Sequence, residues 1–110
     1  MRAQAAAKLM DVPFVRIWST NELTQTLTLR ASSEAQLAAD YLIRQRPFGK
    51  GVAGWVAVHR QPLDIHDVFA DERVMSIEWW RTHHISSLLA VPIIHQEALL
   101  GVLVLSGRNP

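Results

Sequence analysis

The 110-residue chain contains no cysteine. That one absence removes disulfides, thiolate nucleophiles, thioether-linked cofactors and cysteine-based zinc sites together. It fits a reducing compartment. A dominant charge is missing as well: 11 basic and 10 acidic residues leave a formal charge of +1. The densest basic cluster, Arg44, Arg46 and Lys50, is too small to follow a phosphate backbone. Nucleic acid and anionic membranes are therefore not expected partners. Long hydrophobic runs are also absent. The longest, Ser87 to Ile94 and Ala98 to Leu105, have the length of strands and cannot span a bilayer. The opening MRAQAAAKLM is too weak for a secretory h-region. The expectation is a cytoplasmic domain without direct membrane contact.

What is present is ordinary for a globular domain: 49% hydrophobic and 19% charged residues, without repeats or low-complexity tracts. The length suits a single domain over residues 1–110 with one modest core. Ala3 to Met10 read as the end of a helix stopped by Pro13, so short that a longer upstream helix is expected to precede it. Phe14 to Trp18 form a strand with Val15 and Ile17 on one face. Thr24 to Ala31 form a second, with Leu27, Leu29 and Ala31 alternating against polar residues. Ser19 to Glu22 link the two as a hairpin. Ser32 to Arg46 is ambiguous; SEAQLAADYLI could be a short helix before Pro47. Val52 to His59 follow as a helix with Val52, Trp55, Val56 and His59 on one stripe.

Pro62 to His66 read as a short edge strand. Asp71 is a plausible N-cap for a helix from Glu72 to about His84. Two strands, Ser87 to Ile94 and Leu99 to Ser106, flank the polar turn His95 to Glu97. The order β-β-α-β-α-β-β lacks regular β-α-β alternation and argues for an α+β fold, an antiparallel sheet with helices packed on it.

Several motifs suggest chemistry and then fail. Gly49-x-Gly51-x-x-Gly54 opens a helix, and Asp67 lies at roughly the distance of a ribose-binding carboxylate. Polar RQRPF replaces the buried first strand, however, so the glycines are better explained by a bend and a close helix approach. His83 and His84 diverge by about a hundred degrees on a helix, and His59, His66 and His95 lack ligand spacing, so no metal site is expected. Ser86 and Ser87 have no nucleophile elbow. Asp64, Asp67, Asp71 and Glu72 are explained by a loop and a helix start. No catalytic residue is nominated.

The four tryptophans carry more information. Trp79 and Trp80 are adjacent on a helix, so both cannot sit in the stripe that Val74 and Ile77 define. With Phe69, Arg73 and His83 nearby, this helix reads either as one wall of an apolar pocket or as a face packed against flanking helices. Both readings stay open.

Beyond these single features, three stretches in order resemble a known family. FGKGVAGWVAVHRQPLDIHDVFADERV, Phe48 to Val74, resembles the central signature of GAF domains. SSLLAVPIIHQEALLGVLVLSG, Ser86 to Gly107, is similar to that family's closing hairpin, and LMDVPFVRIWSTNELTQTLTLRAS to its first. The resemblance implies a GAF-like central antiparallel sheet flanked by short helices. It also implies a sensory role in a larger protein, such as a histidine kinase of a two-component system or a diguanylate cyclase. Its usual partners would be a small-molecule ligand, a second copy in a homodimer and an output domain of the same chain. The implied ligand pocket maps onto Trp55, Asp67, Phe69, Arg73, Trp79, Trp80, His83 and Ser87. Without cysteine, neither covalent bilin attachment nor thiol-based methionine sulfoxide reduction is expected. The Asn-Lys-Phe segment of cyclic-nucleotide binders is also missing. No cofactor is predicted, while non-covalent haem or a small metabolite stays open. Two alternatives accompany the receiver reading: a ligand-free dimerisation and relay module, and a haem sensor.

Overall fold

The computed structural model describes residues 14–33 and 43–108. Strands β1 (Phe14–Asn21) and β2 (Thr26–Ser32) are followed by β3 (Gln45–Pro47) and helix α1 (Gly51–His59). Then come β4 (Leu63–Ile65), a single 3-10 turn at Val68–Ala70, helix α2 (Ile77–Thr82), β5 (Ser87–His95) and β6 (Ala98–Gly107). The strands make one sheet in the order β3-β2-β1-β6-β5-β4. Every neighbouring pair is antiparallel. This is the expected α+β fold. The helix read over Ala3 to Met10 and the SEAQLAADYLI helix lie largely outside the described residues.

Side chains alternate across a strand, so the register assigns the faces. Phe14, Arg16 and Trp18 of β1 oppose Ser106, Val104 and Val102 of β6. Val104 continues to Ala90 of β5, and Ala90 to Leu63 of β4. Onto this face pack α1 and α2, and the buried cluster joins Val52, Val56, Trp79 and Trp80 to Phe14, Trp18, Leu27 and Val102. The core therefore lies between sheet and helices.

Four local expectations are corrected. First, the alternation of β2 does not run through to Ala31. A register shift at Ile17/Trp18 sets Leu29 against Trp18 but Ala31 against Ile17. This bulge turns Ala31 to the opposite face, where it is exposed. Second, Gln45–Pro47, read as a polar approach to the glycine bend, is a strand at the sheet edge, where Pro47 is tolerated.

Third, α1 is not buried on the single stripe Val52, Trp55, Val56 and His59. Small residues Ala53, Gly54 and Ala57 face inward as well, while Trp55 is half-buried and His59 exposed. Gly54 permits this: a Cβ there would come within 2.9 Å of the Gly49 nitrogen and 3.1 Å of the Pro47 oxygen. The glycine of the apparent dinucleotide motif thus serves close packing.

Fourth, no helix runs from Glu72 to His84. Helix α2 covers only Ile77–Thr82, and Asp71 does not cap it. The Asp71 Oδ1 instead accepts hydrogen bonds from the Arg73 backbone N–H and Nε, both at 2.9 Å. That turn consumes the capping group, and a non-helical segment carries the chain to Ser76, which is left-handed at φ 61°. The edge position of β4 and the β5–β6 hairpin are as expected.

Candidate functional site

Two arginines stand on the apolar face of the sheet. Arg16 is 3% exposed and Arg46 6%. β1 places Arg16 between Phe14 and Trp18, and β3 places Arg46 opposite Leu27. The Arg16 Cζ lies 5.5 Å from the Phe14 ring, 5.6 Å from Trp79 and 5.4 Å from Trp80. The Arg46 Cζ lies 4.8 Å over Trp18. Ring faces attract guanidinium ions, and the attraction strengthens away from water.

Both arginines line one small cavity. Arg16, Trp18 and Val104 form its floor, Arg46 one side, and Val52 and Ala53 of α1 another. Val74, Met75 and Trp80 close it from above. The enclosed void is about 10 Å³, space for about one water. Trp18 is 1% exposed, yet its indole N–H finds no acceptor among the described residues. Leaving such a donor buried costs about 1–3 kcal/mol.

The roof is held from outside. Trp80 Nε1 donates to the Met75 carbonyl at 3.0 Å. Arg73 grips the Asp71 carboxylate with two nitrogens, Nε to Oδ1 at 2.9 Å and Nη2 to Oδ2 at 2.6 Å. The Arg73 Cζ also lies 5.1 Å over Trp55. Trp55 stacks in turn on His59, with centroids 4.1 Å apart. The Arg73 hydrogen bond holds the Asp71 carboxyl below the usual carboxylate range, and Asp71 raises the Arg73 guanidinium reciprocally. With 37% of the Arg73 side chain exposed, solvent screens the pair, which acts as a latch more than as a source of stability.

Of the eight residues nominated from sequence, Trp80 lines the cavity. Trp79 packs behind it, 5.2 Å from Trp80 and 5.3 Å from Phe14, with His83 at its outer side, 5.1 Å away. Trp55 and Arg73 belong to the latch. Asp67 caps the 3-10 turn by accepting from the Phe69 N–H at 3.0 Å, and Phe69 is exposed beside Arg81. Ser87 opens β5 opposite Gly107. Arg16, Arg46 and Trp18 were not nominated. For Arg16 and Trp18 the available signal is the alternation Phe14, Arg16, Trp18 in FVRIW, while Arg46 carries no periodic signal.

A second depression, about 740 Å³, spreads over the β1–β2 hairpin and Ala98 to Leu100. It is open and rich in hydroxyls, so an occupant would stay largely wet. Among the described residues no group of three histidines, cysteines, aspartates or glutamates is placed to hold a metal ion. Among them, too, no helix is long and apolar enough to cross a membrane.

Solved structures of the same architecture are numerous. The GAF domain from the Acinetobacter phosphoenolpyruvate-protein phosphotransferase superimposes with a TM-score of 0.76 at 21% identity, over 97% of this chain and 61% of that one. Free methionine-R-sulfoxide reductase from Neisseria meningitidis gives 0.76 at 18% identity, over 96% and 57%. The A. aeolicus nlh2 GAF domain, in an inactive state, gives 0.78 at 18%, over 97% and 64%. At these identities the likeness is one of fold, and the chain spans less than two-thirds of each of these structures. None of the curated proteins matches the sequence. The GAF domain profile matches residues 2–110, nearly the whole length. The antiparallel sheet, the helices on its apolar face and that match agree: this chain belongs to the GAF domain family.

Proposed function

We propose that this GAF domain is a non-catalytic receiver, which binds a small molecule between its sheet and helices α1 and α2 and relays the event to an output domain of the same chain. The observation that carries the reading is the cavity itself, where polar groups are buried on an apolar face beneath a roof of short helix and loop. An indole N–H without an acceptor among the described residues and two guanidinium ions make this lining more polar than a core built only for packing. The roof segment is braced by its own Asp71–Arg73 ion pair and joined to α1 by the Arg73–Trp55 cation–π contact, a local fastening separate from the sheet's hydrogen bonds. Ligand binding would then favour one of two roof positions. The proposed setting is the cytoplasm, as the family resemblance implies.

Although several structural neighbours are free methionine-R-sulfoxide reductases, thiol-based reduction has no residue to work with here. A haem sensor fits poorly, since no histidine lines the cavity and its void would have to expand many-fold.

Thermal unfolding across a broad metabolite panel tests the proposal. A ligand present at a hundredfold excess over its Kd adds about 2.7 kcal/mol, roughly a 10 °C rise in Tm for a domain of this size. No shift across the panel would contradict it.

A ligand-free dimerisation module is the second reading. It is favoured by Ile93, Ile94 and Leu100, exposed together at the end of the β5–β6 hairpin at 38%, 44% and 52%.

A further inference from the structure

Two hairpin tips meet at one end of the sheet. Ser19 of β1 lies opposite Gly101 of β6, so the β1–β2 and β5–β6 turns project side by side. Two contacts lock them together. Thr20 Oγ1 donates to the Leu99 carbonyl at 2.7 Å, and Arg60 reaches both the Glu97 carbonyl and the Glu22 carboxylate at 2.7 Å. The surface they share is therefore preorganised. It is also apolar where water favours polar side chains. Leu23 stands 97% exposed at the first tip. At the second, a register shift sets Leu99 against Ile94 and Gly101 against Ile93, which leaves Leu100 without a partner across the ladder and exposed. Leu23, Ile93, Ile94 and Leu100 gather at this end, whereas exposed Val58, Phe69 and Met75 lie on other segments.

Opposite charges flank the patch. Arg30 on β2 donates from Nε to the Ser19 Oγ at 2.8 Å, which orients the guanidinium and leaves both Nη groups without a partner among the described residues. Glu97, in the β5–β6 turn on the far side of Leu100, has an exposed carboxylate without a hydrogen-bond or ionic partner among those residues. The open depression of about 740 Å³ lies between, lined by Leu23, Arg30 and Leu100 among others.

Resting on the dimerisation reading, we propose that this end of the molecule is a two-fold interface with a second copy of the chain. Leu23 and Leu100 of each copy fill the other's depression, and Arg30 of each pairs with Glu97 of the other. A two-fold axis through the patch brings Arg30 of one copy to the side where Glu97 of the other stands, so both ion pairs form at once. The depression is too open to enclose a small molecule, but a second rigid surface covers it. The leucines supply the attraction, and the exposed ion pairs set the orientation more than the strength.

Light scattering and sedimentation across a dilution series test it. The expected result is a monomer–dimer equilibrium. Leu23→Asp, at a solvated site where folding is not threatened, weakens the dimer at least about tenfold, the scale of one leucine left unburied. Arg30→Glu and Glu97→Arg each weaken it, and the double reversal, which restores opposite charges across the interface, recovers the association of the natural protein. Arg81→Gln, on the outer side of α2, leaves it unchanged.

A monomer at every concentration would overturn both the interface and the dimerisation reading. A dimer indifferent to Leu23→Asp, or to the single charge reversals, contradicts the interface and leaves that reading standing. Single reversals that weaken the dimer without recovery in the double variant exclude the Arg30–Glu97 pairing, and mass growing beyond a dimer excludes the two-fold arrangement.

Discussion

Gly101 shows how little slack the sheet has between β1 and β6. It lies on β6 opposite Ser19 of β1, and a Cβ there would sit 2.4 Å from the Trp18 carbonyl oxygen. The obstacle is backbone, which cannot rotate away. Gly101→Ala should therefore cost about 2 kcal/mol or more, measured by urea unfolding, because β6 must shift relative to β1. The Asp71–Arg73 pair yields a second expectation with a defined sign. Asp71 has its folded-state pKa lowered, so its contribution is present above the unfolded carboxylate value of about 3.9 and is lost as pH falls through the folded value. Asp71→Asn should lower Tm modestly at neutral pH, by less than about 1 kcal/mol for so exposed a pair. The gap to the natural protein should close in acid. A gap that persists at low pH would assign the role of Asp71 to its turn and not to its charge. At this scale the sequence was partly readable. The interior character of Phe14, Trp18 and Leu27 follows from hydrophobicity, but the inward Arg16 does not. In FVRIW both faces are apolar except for that residue, so alternation alone pointed to Val15 and Ile17. Only the pairing of Arg16 with Val104 across β1 and β6 shows that it faces the helices.

Among the elements, the β5–β6 hairpin was the most legible and carries a clear test. Gln96 and Glu97 form its two-residue turn with φ of 50° and 70°, conformations that asparagine and glycine adopt more readily. Replacing the pair by Asn-Gly should stabilise the domain by about 1 kcal/mol in urea unfolding, with no effect on ligand response. Helix α2 was the least legible. Its tryptophans were correctly read as helical, but its start was misplaced because Asp71 resembles an N-cap in sequence. The structure gives that carboxylate to Arg73, and α2 begins at Ile77 without any side-chain cap. A six-residue helix without a cap is marginal alone, so α2 is held by burial of Trp79 and Trp80 at 8% and 2%. Trp80→Phe should loosen the roof more than the sheet, since it deletes the hydrogen bond to the Met75 carbonyl. Amide exchange should accelerate in residues 74–82 and stay slow in β1 and β6.

For the whole molecule, the antiparallel architecture was readable because the order β-β-α-β-α-β-β lacks regular β-α-β alternation and opens and closes on hairpins. The order of the strands was not, since β3 contributes only three residues and Arg46 gave no periodic signal. The two functional readings separate at this level. A dimerisation module should show a concentration-dependent mass in light scattering, reduced by Ile94→Asp at the exposed hairpin end. A receiver should respond to ligand whatever its mass. The most direct measurement is a titration of the ¹⁵N-labelled protein with the metabolite panel, following the four indole N–H resonances. Saturable shifts are expected at Trp18, the donor in the cavity, and at Trp80, whose N–H holds the roof, with little change elsewhere. Resonances that stay still throughout, or a response confined to the outer Trp55, would contradict it.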